Sequence, residues 1–587
     1  MSPAQSDPIA AVELIGVTKR FAGTLAVNEV GSSIMPGRLT GLIGPDGAGK
    51  TTLMRLMAGL MMPSSGRVRV FGHDTRTESE QIPGLIGYMP QRFGLYEDLS
   101  VLENLRLYAE LRGLPASARQ ETFARLLRFT RLEPFVARLA GRLSGGMKQK
   151  LGLACALISA PGLLLLDEPG VGVDPVSRQD LWRIVSHLTA SGVAVVWATA
   201  YLDEAERCDS VMLLDQGGVA YEGTPAALTA KLADRTFRIP EPEGDRRMLL
   251  SRALASTSVC DGAIEGDALR IVLRAGAESD DIAHLAANAN AVLEPVAPRF
   301  EDAFIDLLGG APCASSALAE HMEPVRLEVE HAVECQALTR RFGEFTAASD
   351  VSFAVAQGEI VGLLGPNGAG KSTTFKMLCG LLKPSSGEAR VAGVNLRSAA
   401  SAAKSRLGYM AQKFSLYGLM SVRQNLEFAA GVYGLAGNEG RERIAEMIEI
   451  LHLGRFLRHS PDELPLGYKQ RLALACAVMH RPAVLFLDEP TSGVDPVTRR
   501  EFWAHINGMV QKGVTVLVTT HFMDEAEYCD RVALMHEARV IALDTPDALK
   551  RRATRKGEAP PTMEETFIRL IEGERTSAST PSAALRS

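Results

Sequence analysis

The chain has 587 residues, which suggests roughly three to five domains. Of these residues 46% are hydrophobic and 22% are charged, which is an ordinary globular composition. The net charge of -6 and pI of ≈ 6.1 give no general electrostatic argument for nucleic-acid binding, and we expect no nucleic-acid partner. No stretch approaches the roughly 20 consecutive apolar residues of a membrane helix, and Met1–Pro8 lacks the pattern of a secretory signal. The eight cysteines form no CxxC pair, which predicts reduced cytosolic thiols in the core.

The sequence contains an internal duplication. Positions from about Ala11 to Leu228 recur at an offset of 321, as Lys50 and Lys371 show, and the register holds without a net gap. Chance similarity does not keep register over that length, so we infer a duplicated domain of ordinary size. We expect the two copies at 11–228 and 332–549.

A phosphate-binding loop is predicted at 44–51, which reads Gly-Pro-Asp-Gly-Ala-Gly-Lys-Thr and fits GxxxxGK[ST]. It follows the strand-like run Leu39–Ile43 and precedes the helix-like run Thr52–Leu60, which is the context that the motif requires. The glycines let backbone N–H groups turn toward phosphate oxygens, the lysine neutralises phosphate charge, and Thr51 can hold Mg²⁺. The predicted ATP contacts are Gly44, Gly47, Gly49, Lys50, Thr51 and Thr52.

The apolar run Leu163–Leu166 ends in Asp167 and Glu168. A buried strand that ends in carboxylates suits the floor of a metal–phosphate site, because the first acid can orient Mg²⁺ and the second can polarise an attacking water. An Asp-Glu pair is common at the start of loops, but here a phosphate loop precedes it. We therefore predict that Asp167 holds Mg²⁺ and that Glu168 is catalytic.

Residues 229–331 separate the two copies. Strand-like runs at Thr236–Ile239 and Leu269–Leu273 alternate with helix-like runs at Arg246–Leu254 and Asp280–Ala287. This pattern predicts a small α/β accessory subdomain, followed by a linker rich in proline and alanine.

The second copy repeats both features. Residues 365–372 fit the same loop pattern after the strand-like run Ile360–Leu364, and Val484–Leu487 ends in two acids. Two such loops in strand–loop–helix context argue strongly against a merely structural turn. The predicted ATP contacts are Gly365, Asn367, Gly368, Gly370, Lys371, Ser372 and Thr373, with Ser372 and Asp488 at Mg²⁺ and Glu489 as a catalytic residue.

A short element at 550–574 follows the second copy, and its segment Met563–Ile568 is similar to Phe300–Ile305 after the first copy. Both copies are thus expected to be followed by this similar short segment. The last residues, 575–587, are rich in Ser, Ala and Thr, which predicts disorder.

The segment Leu143–Gln149 reads LSGGMKQ, close to the LSGGQ signature of the ABC ATPase family, and the chain resembles that family over both repeats. The phosphate loop, a Gln loop, this signature, the acidic strand end and an Asp loop follow in the family's order. The resemblance implies an α/β fold with two tandem P-loop NTPase domains that hydrolyse ATP with Mg²⁺. It also implies a head-to-tail pair, in which each ATP lies between the phosphate loop of one domain and the signature of the other.

The same resemblance implies further site residues by position. In the family an aromatic residue stacks on adenine, a glutamine senses Mg²⁺ and the membrane partner, and an aspartate links the two sites. The matching residues are Phe21 and Phe342 for adenine, Gln91 and Gln412 for Mg²⁺ and the partner, Asp174 and Asp495 for the link, and Ser144, Gly145 and Gly146 for the signature.

Two further segments, Val173–Arg178 and Asp203–Glu206, resemble the drug-exporter ATPases that serve ABC-2-type permeases. The fusion of two copies in one chain resembles the tandem subunits of bacterial efflux systems. This implies export of drug-like cargo through separate transmembrane permease subunits, and it leaves room for a periplasmic adaptor. The chain would be cytoplasmic and attached to the inner face of the plasma membrane through the permease. Its contacts would lie near the Gln loops, 92–96 and 413–417.

Two positions depart from the family pattern. In the second signature, Pro465 removes a hydroxyl and an N–H. Leu466 places a branched side chain where glycine lets the backbone approach a γ-phosphate. The first copy has Ala200 where the second has His521, the residue that contacts the γ-phosphate in the family. An alanine side chain can neither donate nor accept a hydrogen bond.

Head-to-tail pairing would place both departures in one site. Site one joins the first phosphate loop to the second signature, whereas site two joins the second phosphate loop, Glu489 and His521 to the intact first signature. We expect site two to hydrolyse ATP and site one mainly to bind it and hold the dimer closed. Glu168 argues against total loss at site one, so turnover at both sites stays open.

Two other functions remain as alternatives. A soluble tandem ABC factor that acts on the ribosome also lacks membrane spans, but it usually carries a charged helical arm and two intact signatures. A tandem sugar-importer ATPase would bind an importer permease. The mixed α/β joining region and the altered second signature favour an exporter subunit over the ribosomal factor.

Overall fold

The computed structural model describes residues 9–91, 94–173, 175–242, 244–285, 293–310, 316–398, 405–412, 415–520 and 522–578. The chain divides into two compact units. The first comprises Met1–Ala233, Pro298–Gly309 and Gly493–Val497, and the second comprises Asp234–Ala297, Gly310–Ser492 and Thr498–Ser587. Among the described residues, no helix is both long enough and apolar enough to span a bilayer.

The first unit contains a six-stranded, mainly parallel sheet and a four-stranded antiparallel sheet. Leu39–Ile43 and Leu163–Asp167 are buried at every residue, since parallel strands covered on both faces need continuous apolar runs. In spatial order the larger sheet has strands Gly218–Gly223, Ser210–Asp215, Leu39–Ile43, Ala194–Thr199, Leu163–Asp167 and Ile86–Met89. The smaller sheet has strands Thr24–Ile34, Val12–Phe21, Ser65–Val70 and His73–Asp74.

Helices connect the strands of the first unit, and one of them, Gly145–Ala156, begins in the signature. The α-helices of the first unit are Lys50–Met57, Ile82–Leu85, Val101–Leu111, Ala116–Thr130, Gly145–Ala156, Pro175–Ala190, Leu202–Glu206, Pro225–Thr229 and Phe300–Leu307. Short 3₁₀ turns occur at Glu133–Phe135, Ala140–Arg142 and Ala230–Leu232.

The second unit repeats both sheets, which confirms the predicted α/β class and the duplication. The larger sheet has, in spatial order, strands Leu407–Met410, Val484–Asp488, Thr515–Thr520, Ile360–Leu364, Arg531–His536 and Arg539–Asp544. The smaller sheet has strands Phe345–Ala356, His331–Phe342, Ser386–Val391 and Val394–Asn395. The α-helices are Ala317–Glu320, Lys371–Leu378, Val422–Val432, Gly437–Ile450, Leu466–Val478, Pro496–Gln511, Pro546–Ala553 and Met563–Ala578, with 3₁₀ turns at Gly454–Phe456, Pro461–Glu463 and Asp524–Tyr528.

The accessory subdomain is a small sheet with one α-helix, Arg246–Leu254, and a 3₁₀ segment, Ser279–Leu285. Ile239, Leu250 and Ile271 belong to its own apolar core. Its four strands are, in spatial order, Val259–Glu265, Ala268–Leu273, Thr236–Ile239 and Glu294–Pro295.

In sequence this subdomain is an insert in the first cassette, but it folds as part of the second unit. Asp530 accepts hydrogen bonds from Arg246 at 2.9 Å and from Arg247 at 2.7 Å. Arg500 lies 3.1 Å from Asp261, whose side chain is 1% exposed. Loss of one partner of such a buried ion pair would leave a charge without compensation, which is strongly destabilising. These contacts therefore make the insert an integral part of the second unit.

The chain after the insert returns to the first unit as helix Phe300–Leu307. The backbone N–H of Phe300 donates to Glu206 at 2.7 Å. The corresponding helix of the second unit is longer, since it continues to Ala578. The expectation of disorder from residue 575 therefore does not hold for 575–578, where the helix begun by apolar and acidic residues continues, and 579–587 lie outside the described residues.

Candidate ATP-binding and hydrolysis sites

The first phosphate loop needs glycine at two positions for steric reasons. Gly49 has φ 101° and directly precedes helix Lys50–Met57. A Cβ atom at Gly49 would lie 2.2 Å from the carbonyl oxygen of Ala26, and one at Gly44 would lie 2.3 Å from that of Leu214. Any side chain would therefore force the backbone apart at both positions.

The loop lysine is held inside this turn. The Nζ atom of Lys50 donates to the carbonyl oxygens of Gly44 at 2.6 Å and Pro45 at 3.1 Å. Lys371 makes the same two contacts in the second copy, at 2.6 and 3.0 Å. An ammonium group beside a helix N-terminus and exposed backbone N–H groups is suited to bind phosphate.

The other predicted loop residues lie around this centre. Gly47, Gly368 and Asn367 are exposed at the rim of the two loops. Thr52 and Thr373 are half-buried on the first turn of the following helices. Both loops therefore present their predicted contacts at one end of a parallel sheet.

A hydroxyl and a carboxylate meet next to each loop. Thr51 donates to Asp167 at 3.3 Å, and Ser372 donates to Asp488 at 3.5 Å. Burial raises the pKa of both carboxyl groups above the ordinary value, and the hydrogen bonds from Thr51 to Asp167 and from Thr519 to Asp488 oppose this shift. Hard oxygen donors of this kind beside a phosphate loop fit Mg²⁺, which would neutralise phosphate charge there.

The second acid of each pair contacts the predicted glutamine. Gln91 donates to Glu168, and Gln412 donates to Glu489 at 2.7 Å. Both glutamates adopt left-handed backbone conformations, with φ 52° and 50°, in which a non-glycine residue is strained. Such strain is common at functional positions.

The Glu168 carboxyl is largely removed from water. Burial raises its pKa to about 7, and the neighbouring charges of Asp167 and Asp46 add to this effect, while Lys50 opposes it. A carboxyl with a pKa in this range is suited to accept a proton at neutral pH.

The two signatures begin helices in the same way but with different caps. The Oγ atom of Ser144 accepts a hydrogen bond from the N–H of Met147 at 3.3 Å and caps the helix that starts at Gly145. In the second copy Pro465 occupies the cap position with φ −53°, and the helix starts at Leu466. The second signature has therefore lost its capping hydroxyl without losing the helix.

The predicted adenine residues end the first strands of the smaller sheets. Phe21 is 41% exposed and Phe342 is 48% exposed. A cation approaches each ring, Lys19 at 5.2 Å and Arg340 at 4.5 Å. The exposed ring faces can accept a stacked base, and their role with adenine stays a prediction.

Several predicted residues fall outside the described residues or near their edges. His521 and Asp174 are among those outside, as are 92–93 and 413–414 of the Gln loops. Asp495 is buried, and its Oδ1 atom accepts from the N–H of Val497 at 3.1 Å.

Two residues beside the acidic pairs were missed by the sequence analysis. Tyr88 donates to Asp167 at 3.4 Å, and Thr519 donates to Asp488 at 2.6 Å. A signal for Thr519 was present, because the position two residues before His521 is a threonine in the second copy and Ala198 in the first.

The ABC transporter family model matches residues 27–171 and 348–492. The probable multidrug ABC transporter ATP-binding protein YbhF of Escherichia coli is 55% identical over 96% of this chain and 98% of that relative. The daunorubicin/doxorubicin resistance ATP-binding protein DrrA of Streptomyces peucetius is 35% identical over 43% of this chain and 76% of that relative. A solved ATP-binding subunit of an ABC transporter aligns with 41% of this chain and 99% of its own, at 30% identity and a TM-score of 0.38.

The chain therefore belongs to the family of ABC transporter ATP-binding proteins, in a form that carries two cassettes. As a member of this family it binds and hydrolyses ATP and works with separate membrane permease subunits. The resemblance inferred from the sequence is confirmed at this level.

Proposed function

We propose that this chain energises a drug exporter whose pore is an ABC-2-type permease, and that the second phosphate loop carries the hydrolytic site. The observation that supports it is the distribution of differences between the copies. In head-to-tail pairing, Ala200, Pro465 and Leu466 all belong to site one. Site two combines Lys371, Glu489 and His521 with the intact first signature.

The contacts around the acidic pairs add a further difference between the two sites, since a polar group of site two is again missing from site one. Asp488 receives a hydrogen bond from Thr519 at 2.6 Å, whereas the matching position beside Asp167 is Ala198. Site one thus lacks counterparts of the Thr519 hydroxyl and the His521 side chain, although its loop, Glu168 and the contact of Tyr88 with Asp167 remain. Binding without rapid hydrolysis would let site one keep the cassettes together while site two turns over.

Magnesium, the membrane attachment and the other subunits belong to the same proposal. Thr51 with Asp167, and Ser372 with Asp488, would hold Mg²⁺, whose charge would neutralise that of the phosphates. The chain would be held at the inner face of the plasma membrane by the permease, and a periplasmic adaptor could complete the system. The names of YbhF and DrrA support a drug-like cargo.

Repair of site one tests the asymmetry. The triple variant Ala200→His, Pro465→Ser, Leu466→Gly restores the groups that site one lacks, so ATP turnover should rise up to about twofold as a second site becomes active. Steady-state phosphate release by the purified chain measures this, with Met479→Leu, a buried change of similar volume, as the control. An unchanged rate together with normal ATP binding would mean that these three positions do not limit site one.

Export is tested in cells. A strain without the chain should become sensitive to hydrophobic drugs, including the two named for DrrA, and the parent but not Lys371→Ala should restore resistance. Co-sedimentation with ribosomes and no change in drug sensitivity would instead support the ribosomal alternative. Co-purification with an importer permease would support the sugar-importer alternative.

A further inference from the structure

Thr519 lies beside the acidic pair of the second cassette. It is the penultimate residue of strand Thr515–Thr520, which runs parallel to Val484–Asp488 with Asp488 paired to Thr519. Its side chain is completely buried. Polar groups in such surroundings are costly unless they are hydrogen-bonded, so the partners of this hydroxyl define its role.

The Thr519 hydroxyl contacts both acids at once. It donates to the Oδ1 atom of Asp488 at 2.6 Å and accepts a hydrogen bond from the backbone N–H of Glu489 at 3.0 Å. The first contact fixes the rotation of the Asp488 carboxylate. The second adds a side-chain acceptor to the N–H of Glu489, whose backbone φ of 50° is close to the 52° of Glu168 in the first cassette. The hydroxyl therefore orients the predicted metal residue, whereas the backbone of the predicted catalytic residue is held as it is in the first cassette.

The first cassette offers a natural comparison at this position. Asp167 is paired to Ala198 in the same parallel register. The N–H of Glu168 donates to the carbonyl oxygen of Ala198 at 2.9 Å, just as Glu489 does to that of Thr519 at 3.0 Å. The strand geometry is thus shared, and the first cassette lacks the Thr519 hydroxyl, while Asp167 accepts a longer hydrogen bond from Tyr88 at 3.4 Å.

We propose that Thr519 is a positioning residue of the hydrolytic site, which orients the Asp488 carboxylate for Mg²⁺. The proposal deepens the proposed function, since it concerns the site to which that function assigns hydrolysis. Ser372 approaches the same Oδ1 atom at 3.5 Å, which is a weak contact that leaves the orientation of the carboxylate to Thr519.

The test compares Thr519→Val with Thr519→Ser in the full chain. Valine has the shape of threonine without the hydroxyl, whereas serine keeps the hydroxyl. Hydrogen bonds to charged groups are strong, so Thr519→Val should lower kcat about 10-fold while Thr519→Ser should stay within about twofold of the parent. KM for Mg²⁺ should rise in the valine variant, and KM for ATP at saturating Mg²⁺ should change by less than about twofold.

A binding measurement supplies a readout that does not depend on turnover. In a Lys50→Ala background, which weakens the first phosphate loop, a fluorescent ATP analogue is titrated with Mg²⁺ and with EDTA. The valine variant should bind the analogue about 3- to 10-fold more weakly with Mg²⁺ and equally well in EDTA. Equal weakening in both conditions, or equal behaviour of the valine and serine variants, would overturn the proposal.

Two outcomes keep this proposal separate from the proposed function. If Thr519→Val does not fold, Thr519→Ala, which copies the residue of the first cassette, is compared with Thr519→Ser in its place. If Glu489→Gln retains turnover, the assignment of hydrolysis to site two fails, but a Mg²⁺-dependent loss of analogue binding would still support Thr519 as a positioning residue.

Discussion

Glu489→Gln should reduce ATP turnover of the purified chain by at least about 100-fold, whereas Glu168→Gln should reduce it less than about twofold. Both glutamates lie beside a phosphate loop, contact a glutamine and have a left-handed backbone. The proposed function places Glu489 in site two, with His521 and the intact first signature. On that assignment, Glu489→Gln would remove the carboxylate that polarises water, whereas Glu168→Gln would affect a site with slow turnover.

Steady-state phosphate release, with the permease if it co-purifies, measures both variants beside the parent. Binding of a fluorescent ATP analogue is the control, since glutamine keeps the size and the polarity of the side chain and should preserve binding. If each substitution instead halves the rate, the two sites are equivalent. The interpretation of Ala200, Pro465 and Leu466 would then be wrong.

Transfer of the second signature into the first should nearly abolish hydrolysis. The double variant Ser144→Pro, Gly145→Leu gives the first cassette the residues of Pro465 and Leu466 and should lower turnover at least about 100-fold. The reason is local, because a proline and a branched side chain replace the groups that would approach the γ-phosphate in site two. Phosphate release and vanadate-trapped nucleotide measure the loss.

The structure indicates that this double variant will fold. In the second cassette the helix after Pro465 begins at Leu466 just as its counterpart begins at Gly145, and loss of a serine cap costs only about 1 kcal/mol. Met147→Tyr, which imports the half-buried Tyr468 of the second signature, is the matched control and should leave turnover within about twofold of the parent. High activity of the double variant would exclude the first signature from the hydrolytic site.

Local patterns were sufficient to predict the two cassettes. The phosphate loops at Lys50 and Lys371 depend on glycines within about eight residues of sequence, and the acidic pairs follow buried apolar strands. The fixed offset between the copies then predicted the duplicated α/β fold. These features are short-range in sequence, so no knowledge of packing was needed.

Contacts between residues far apart in sequence could not be predicted in the same way. Thr519 and Asp488 are 31 positions apart and meet through the strand register, which periodicity does not encode. Arg246 and Asp530 are 284 positions apart, and their contact depends on where the insert docks. The strand Val259–Glu265 was also missed, because its Cys-Asp-Gly sequence lacks the apolar alternation that marks a strand.

The insert joins segments of the chain that are far apart in sequence. It belongs to the first cassette in sequence, yet Arg246 and Arg247 bind Asp530 of the second unit. A gene divided near residue 310 would place these charges on separate polypeptides, which would then carry complementary recognition surfaces. A chain cut near residue 310 is therefore expected to give two fragments that still bind each other through Arg246, Arg247 and Asp530.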